Sequence, residues 1–246
     1  FQLLVQLEFC LDLAWPDTFG WFVHLLTIFS LDVLGSFDLG CVSPYTWTTK
    51  FWFAVTLMPG LLAGVAVSYR ISRDREEDMA NRSIKMGLTV VFLAYAFVSE
   101  TIFQGFSCRS LGIDEAWLEV DYHIDCGTSE YAWYLLAGTM AIFVYPVGIP
   151  AATLFLLTRH GAEFRAGTPD SESVARKRFE FLVSDYKPAF YYWDAIEMLR
   201  KATIAGHYVV FIKGSLLQLV FAMVFCLGFL CASCWYQPYA SMSANL

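Results

Sequence analysis

Four charged residues at helical spacing inside an apolar segment carry the sharpest chemical signal in this 246-residue chain. They are Asp194, Glu197, Arg200 and Lys201, in the run Tyr191-Tyr192-Trp193-Asp194-Ala195-Ile196-Glu197-Met198-Leu199-Arg200-Lys201. On a helix, Glu197 shares a face with Arg200 and Lys201, three and four residues on, so its carboxylate can pair with either base. A lone Arg or Lys deep in a membrane span costs roughly 2.5–3.5 kcal/mol on insertion scales. Pairing with Glu197 offsets part of that. Two readings follow. One is an ion path or gating network, the default for intramembrane charges. The other is an interfacial anchor whose bases snorkel to the inner headgroups.

Other groupings carry less chemistry. Tyr145-Pro146-Val147-Gly148-Ile149-Pro150 falls in mid-span. Its two prolines remove two amide donors and break the helix there. Pro146, Gly148 and Pro150 then form either a gating hinge or a static packing device. Asp121, His123 and Asp125 alternate in strand fashion. They could face a divalent cation together, but a solvated acidic loop is the preferred reading, and no metal site is assigned. The sequence shows no glycine-rich phosphate loop, no nucleophile–histidine setting and no paired zinc-type cysteines. Cys231-Ala232-Ser233-Cys234 lies in a span without a partner motif. No enzyme, catalytic residue or cofactor is expected. His24 and His207 lie in or near spans, where a histidine either ligates a pigment magnesium or is hydrogen-bonded within a bundle.

The elements that must position these residues are transmembrane helices. The chain is 57% hydrophobic and only 16% charged, with a mean hydropathy of +0.51. A soluble fold of this size has nowhere to bury that much apolar surface, whereas lipid accepts it. Aromatic residues make up 17%, enough for two interfacial belts. A net charge of −7 without a basic cluster of the nucleic-acid-binding kind excludes nucleic acid as a partner. Windows of about 20 apolar residues, the length that crosses a ~30 Å hydrocarbon core, predict spans near 19–36, 51–70, 86–106, 131–158, 190–211 and 215–236. Residues 1–18 read as an interfacial helix or the end of a span that begins earlier, since Phe1 opens the chain inside an apolar stretch. A fragment of a longer chain is therefore expected. The fold class is all-α: one polytopic membrane bundle of about five or six helices.

Loop charge orients that bundle. Eleven of the sixteen Lys and Arg residues fall in 70–85 and 159–187. The intervening loop, 107–130, carries Arg109 against Asp114, Glu115, Glu119, Asp121, Asp125 and Glu130. The positive-inside rule puts the basic loops on the cytoplasmic side and the acidic loop outside. Cys108 and Cys126 bracket the acidic loop, in a compartment that permits a disulfide; free thiols are the alternative. Cys226, Cys231 and Cys234 read as packing residues. Asn81-Arg82-Ser83 matches a glycosylation sequon on the wrong side of the membrane.

An ordered set of motifs adds a resemblance. It comprises Pro16 after a Trp, Leu39-Gly40-Cys41, Thr56-Leu57-Met58-Pro59, Phe106-Ser107-Cys108-Arg109, Asp121-Tyr122-His123-Ile124-Asp125-Cys126, Tyr145 to Pro150, Asp185 to Lys201, and Gln237-Pro238-Tyr239. Together they resemble the C-terminal membrane module of large multi-pass proteins of algae and other protists labelled transient-receptor-potential-like. The resemblance implies a helical bundle with a disulfide-bearing outer loop and suggests cation transport. The expected partners are the lipid bilayer and either other membrane subunits or further copies of the chain. The expected location is the plasma membrane or an endomembrane. The alternative is an accessory or scaffold subunit of a large photosynthetic or respiratory complex. It would sit in an organelle membrane such as the thylakoid, where a bound pigment becomes conceivable.

Overall fold

The computed structural model describes residues 46–73, 77–112, 115–165, 174–207 and 215–241. The expected N-terminal helix at 1–18, the span at 19–36, His24 and Cys41 lie outside the described residues. What is described is mostly helical: α1 Trp47–Arg73, α2 Glu77–Gln104, α3 Ser129–Ile142, α4 Gly148–Arg159, α5 Gly161–Arg165, α6 Val174–Val183, α7 Trp193–Gly206 and α8 Leu216–Tyr236. A π-helical turn, Phe143–Val147, joins α3 to α4, so the two run on as one membrane-length helix.

Among the described residues, four stretches are long and apolar enough to cross a membrane: Trp47–Ile71, Asn81–Gln104, Ser129–Arg159 and Leu216–Tyr236. Large side chains stand exposed along them, among them Val67, Phe155, Leu216 and Val224. That surface marks the chain as membrane-associated, because water would oppose it and lipid does not. The segment expected to span at 190–211 differs. Its helix, α7, runs for 14 residues, about 21 Å, which is shorter than a bilayer core. Pro188 ends the preceding extended chain and opens a 3-10 turn, Pro188–Phe190, so the α-helix starts later than hydropathy implies.

The core sits around α2, which packs against α1, α3, α6 and α7. Trp47, Phe51, Ala54 and Met58 of α1 recur at three- and four-residue intervals, as do Val91, Ala94, Tyr95, Val98 and Ile102 of α2, and all are buried in one cluster. Gly87 lets the two helices approach, since a Cβ there would collide with the Val65 side chain.

The all-α expectation fails in the outer loop. Cys108–Ser110 (β1), Ala116–Leu118 (β2) and Asp121–Asp125 (β3) form an antiparallel sheet in the order β1-β2-β3. The polar alternation of β3 favours a strand over a helix. A disulfide joins Cys108 to Cys126, with Cα atoms 6.4 Å apart, and ties the two ends of the sheet together.

Candidate functional site

The charged residues of α7 come together in the half of the bundle away from the sheet, from the start of α7 to the level of Phe92, midway along α2. Asp194, Arg200 and Lys201 are buried, at 6%, 9% and 7% exposure, and the Glu197 side chain is 12% exposed. Glu197 Oε2 accepts from Arg200 Nε at 2.8 Å and from Nη2 at 2.5 Å. The guanidinium also lies 5.0 Å from the Phe229 ring of α8, and the Lys201 ammonium lies 4.1 Å from the Phe92 ring of α2. Such ring faces favour a desolvated cation. Both bases are thus turned into the protein. Neither reaches the exposed surface that a snorkelling anchor needs.

Two tyrosines complete the group. Tyr239 donates its hydroxyl to Glu197 Oε1 at 3.2 Å, and Tyr186 donates to Asp194 Oδ1 at 3.4 Å. Burial and the neighbouring Glu197 carboxylate push the Tyr239 hydroxyl up to about 12. It therefore keeps its proton, and stays a donor, throughout the physiological range. Asp194 Oδ2 is buried without a hydrogen-bond partner among the described residues. Leaving a carboxylate oxygen so is costly.

A short strap brings Tyr239 into place. Gln237 closes α8 in the left-handed region, at φ 44°, and turns the chain back onto the approach to α7. There Lys187 N–H donates to Pro238 O and Ala240 N–H donates to Asp185 O, both at 2.8 Å. The Tyr186 and Tyr239 rings lie 5.2 Å apart. Trp193 packs on Phe229 and Tyr236. At the other end of α8, Gln218 meets His207, with Nε2 atoms 2.8 Å apart. This protein contact is the bundle-type role considered for His207.

The proline motif is satisfied by tyrosines. Pro150 has no amide proton for the carbonyl of Pro146, four residues earlier. Tyr95 of α2 donates its hydroxyl to that carbonyl at 2.9 Å and also approaches Met198 O of α7 at 3.2 Å. Pro59 likewise deprives the Val55 carbonyl of α1, and Tyr145 donates to it at 2.8 Å. In the π-helical turn, backbone bonds reach to the fifth residue, which accommodates a missing donor. Gly148 permits that compression, because a Cβ there would stand 2.8 Å from the Phe143 carbonyl oxygen. Pro146, Gly148 and Pro150 thus sit together at a change of helical register. Tyr95 links this point to α7.

At the outer end, Asp121, His123 and Asp125 do not converge. Asp121 Oδ2 accepts from Trp47 N–H at 3.1 Å, at the N-terminus of α1, and Oδ1 accepts from His123 N–H and faces His123 Nδ1. Asp125 Oδ1 accepts from Gly127 N–H. Each carboxylate serves the backbone, and His123 is almost fully exposed. Among the described residues, no group of three His, Cys, Asp or Glu side chains is placed to hold a metal. Burial raises the Asp121 carboxyl, but the hydrogen bonds from His123 and Trp47 outweigh it and hold it below the ordinary 3.8. Tyr131, which sequence reading passed over, donates to Gly105 O at 2.9 Å and closes the end of α2.

Sequence reading also passed over Tyr95, Phe92 and Phe229, and gave no role to Tyr186 within the Asp185 to Lys201 stretch. The signal available for Tyr95 and Tyr145 was the pair of carbonyls that Pro59 and Pro150 strip of donors. Nothing in the sequence says which hydroxyl answers them. No family model, curated protein or solved structure matches this chain.

Proposed function

We propose that this chain is a membrane-embedded transport module, passing cations across the bilayer in the manner its resemblance to transient-receptor-potential-like modules suggests. The observation that carries the reading is the burial of Asp194, Glu197, Arg200 and Lys201 on one short helix. Four charges removed from both water and lipid cost several kcal/mol each unless paired. A purely structural helix has no need of them, and intramembrane charges are by default functional. Asp194, with one carboxylate oxygen lacking a hydrogen-bond partner among the described residues, is the residue best suited to meet a cation or a proton. Tyr95 connects α7 to the π-helical turn, so rearrangement at Pro146 and Gly148 would move the helix that bears the charges.

Five crossings fit this reading. The strap holds the end of α8 beside the start of α7, while α8 is itself membrane-length. α7 starts beside the end of α8 and reaches His207 beside Gln218, near the start of α8, which supports reading α7 as a further, short crossing. The basic loops mark the α7 entrance as the inner side. A plasma membrane or endomembrane agrees with an outer disulfide.

The test is ion flux from liposomes containing the purified chain, with Asp194→Asn and Glu197→Gln alongside. Transport that falls with either substitution supports the assignment. Unchanged flux in both moves the path elsewhere, and no flux under any ionic gradient removes the transport reading. A second reading, an accessory or scaffold subunit of a larger membrane complex, draws on α8, where only Gln218 and Ala222 are buried. Co-purification with a fixed set of other chains, together with absence of flux, would favour it.

A further inference from the structure

On the same inner end, beside the strap but outside the charged network, lies an open recess of about 740 Å³. Among the described residues it is lined by Arg165, Lys187, Pro188, Ala189 and Tyr192. Two cations face it, and no carboxylate belongs to that lining. Arg165 is held in place: its guanidinium lies 5.4 Å from the Tyr191 ring centroid, and Nη2 is 3.5 Å from the Tyr191 hydroxyl. That contact leaves further donors of the guanidinium fork available. Lys187 is fixed at its backbone by Pro238 O, and its ammonium makes no ion pair among the described residues.

Depth decides what these cations meet. Tyr191, Tyr192 and Trp193 open α7, and Trp235 and Tyr236 close α8 beside them. Trp235 is 84% exposed. Rings of this kind collect at headgroup level, so the recess stands where lipid phosphates lie. Its walls are mixed, with the Tyr192 ring and the Pro188 pyrrolidine next to the two bases. A free phosphate makes no use of such walls. A lipid does, with its phosphate on the bases and its glycerol and upper chains on the ring. With no acid among the described lining residues, the ammonium of a zwitterionic headgroup finds no partner there.

We propose that Arg165 and Lys187 form a binding site for the phosphate of an anionic glycerophospholipid on the inner leaflet, with Tyr192 and Pro188 packing on its glycerol backbone. Basic recesses at the inner ends of membrane helices suit this chemistry, because Arg engages phosphate oxygens through its fork while Lys acts as a point charge. The site rests on the membrane placement of this end and is independent of transport.

The test is binding of fluorescent phosphatidylglycerol, and separately phosphatidylcholine, to the full chain purified in neutral detergent. Variants are Arg165→Gln, Lys187→Gln, the double variant, and Arg70→Gln/Arg82→Gln as a control of equal charge. The site predicts preference for phosphatidylglycerol, weakened about fivefold by each single substitution and about 25-fold by the pair, with the control unchanged. Soluble glycerophosphoglycerol should fail to compete at concentrations where the lipid does. Equal binding of both lipids overturns the proposal. So does an equal loss in the control, which signals diffuse surface charge, or competition by the soluble diester as strong as by lipid. Arg165→Gln can loosen Tyr191 packing, so Lys187→Gln, which removes the ammonium and keeps the backbone bond to Pro238 O, is decisive. Unchanged binding in that variant sinks the site. The readout needs no ion flux, so a chain that does not conduct can still show it.

Discussion

The two ends of the bundle are built by opposite means. At the outer end a covalent bridge, Cys108–Cys126, and a backbone-paired sheet hold the chain, and the acids there cap helices and turns. At the inner end the parts are joined by a buried ion pair, aromatic contacts and a strap of two backbone hydrogen bonds. The outer end is thus fixed by chemistry that persists at any pH a cell meets. The inner end is fixed by non-covalent contacts alone.

The largest expected effect comes from breaking the inner pair. Glu197→Gln leaves the Arg200 guanidinium buried without its counter-charge and should lower stability by about 3–5 kcal/mol. Thermal unfolding in detergent should show Glu197→Met/Arg200→Met closer to wild type than either single variant. Additive losses would mean that the two side chains act separately. At the outer end, Cys108→Ser/Cys126→Ser opens a loop with a sequence separation of 18 and should cost about 3 kcal/mol. Reductant should destabilise wild type by a similar amount and leave the double serine variant unmoved.

A smaller effect connects the two ends. Tyr95→Phe strips the Pro146 carbonyl of its donor and should cost about 1–3 kcal/mol. Tyr145→Phe, at a half-buried hydroxyl, should cost less. In a Pro150→Ala background, where an amide returns to the Pro146 carbonyl, Tyr95→Phe should become milder. An equal cost in both backgrounds would show that the hydroxyl does not substitute for the missing amide. The smallest effect is Asp121. Its folded-state value lies below the ordinary one, so its contribution is complete above pH 3.8 and is lost as pH falls through the lower folded value. Asp121→Asn should cost about 1 kcal/mol near neutrality and flatten the acid limb of the stability profile.

The pattern of loop charge and apolar windows was sufficient to locate the four long helices, because both depend on composition over about 20 residues. It also placed Cys108 and Cys126 in one loop. Period-two alternation at Asp121–Asp125 signalled β3, but β1 and β2 are three residues each, too short to leave a periodic trace. Glu197 and Arg200 were legible as a pair because helical spacing alone brings them together. The partners contributed by other elements, Tyr186, Tyr239, Phe92 and Phe229, were not. Their places depend on how α2, α7 and α8 pack, which no local pattern encodes. Hydropathy likewise began the fifth span at 190, ahead of the α7 start at Trp193, since it counts apolar side chains and ignores the 3-10 turn that Pro188 opens.

The most direct test of this account is the sidedness of the two ends. In a chain keeping only Cys108 and Cys126, a single cysteine is placed at Tyr122 or at Ala189, both exposed, and intact right-side-out vesicles are treated with a membrane-impermeant maleimide. The account predicts labelling of the Tyr122 position at once and of the Ala189 position only after permeabilisation. Labelling of both from the same side would contradict it.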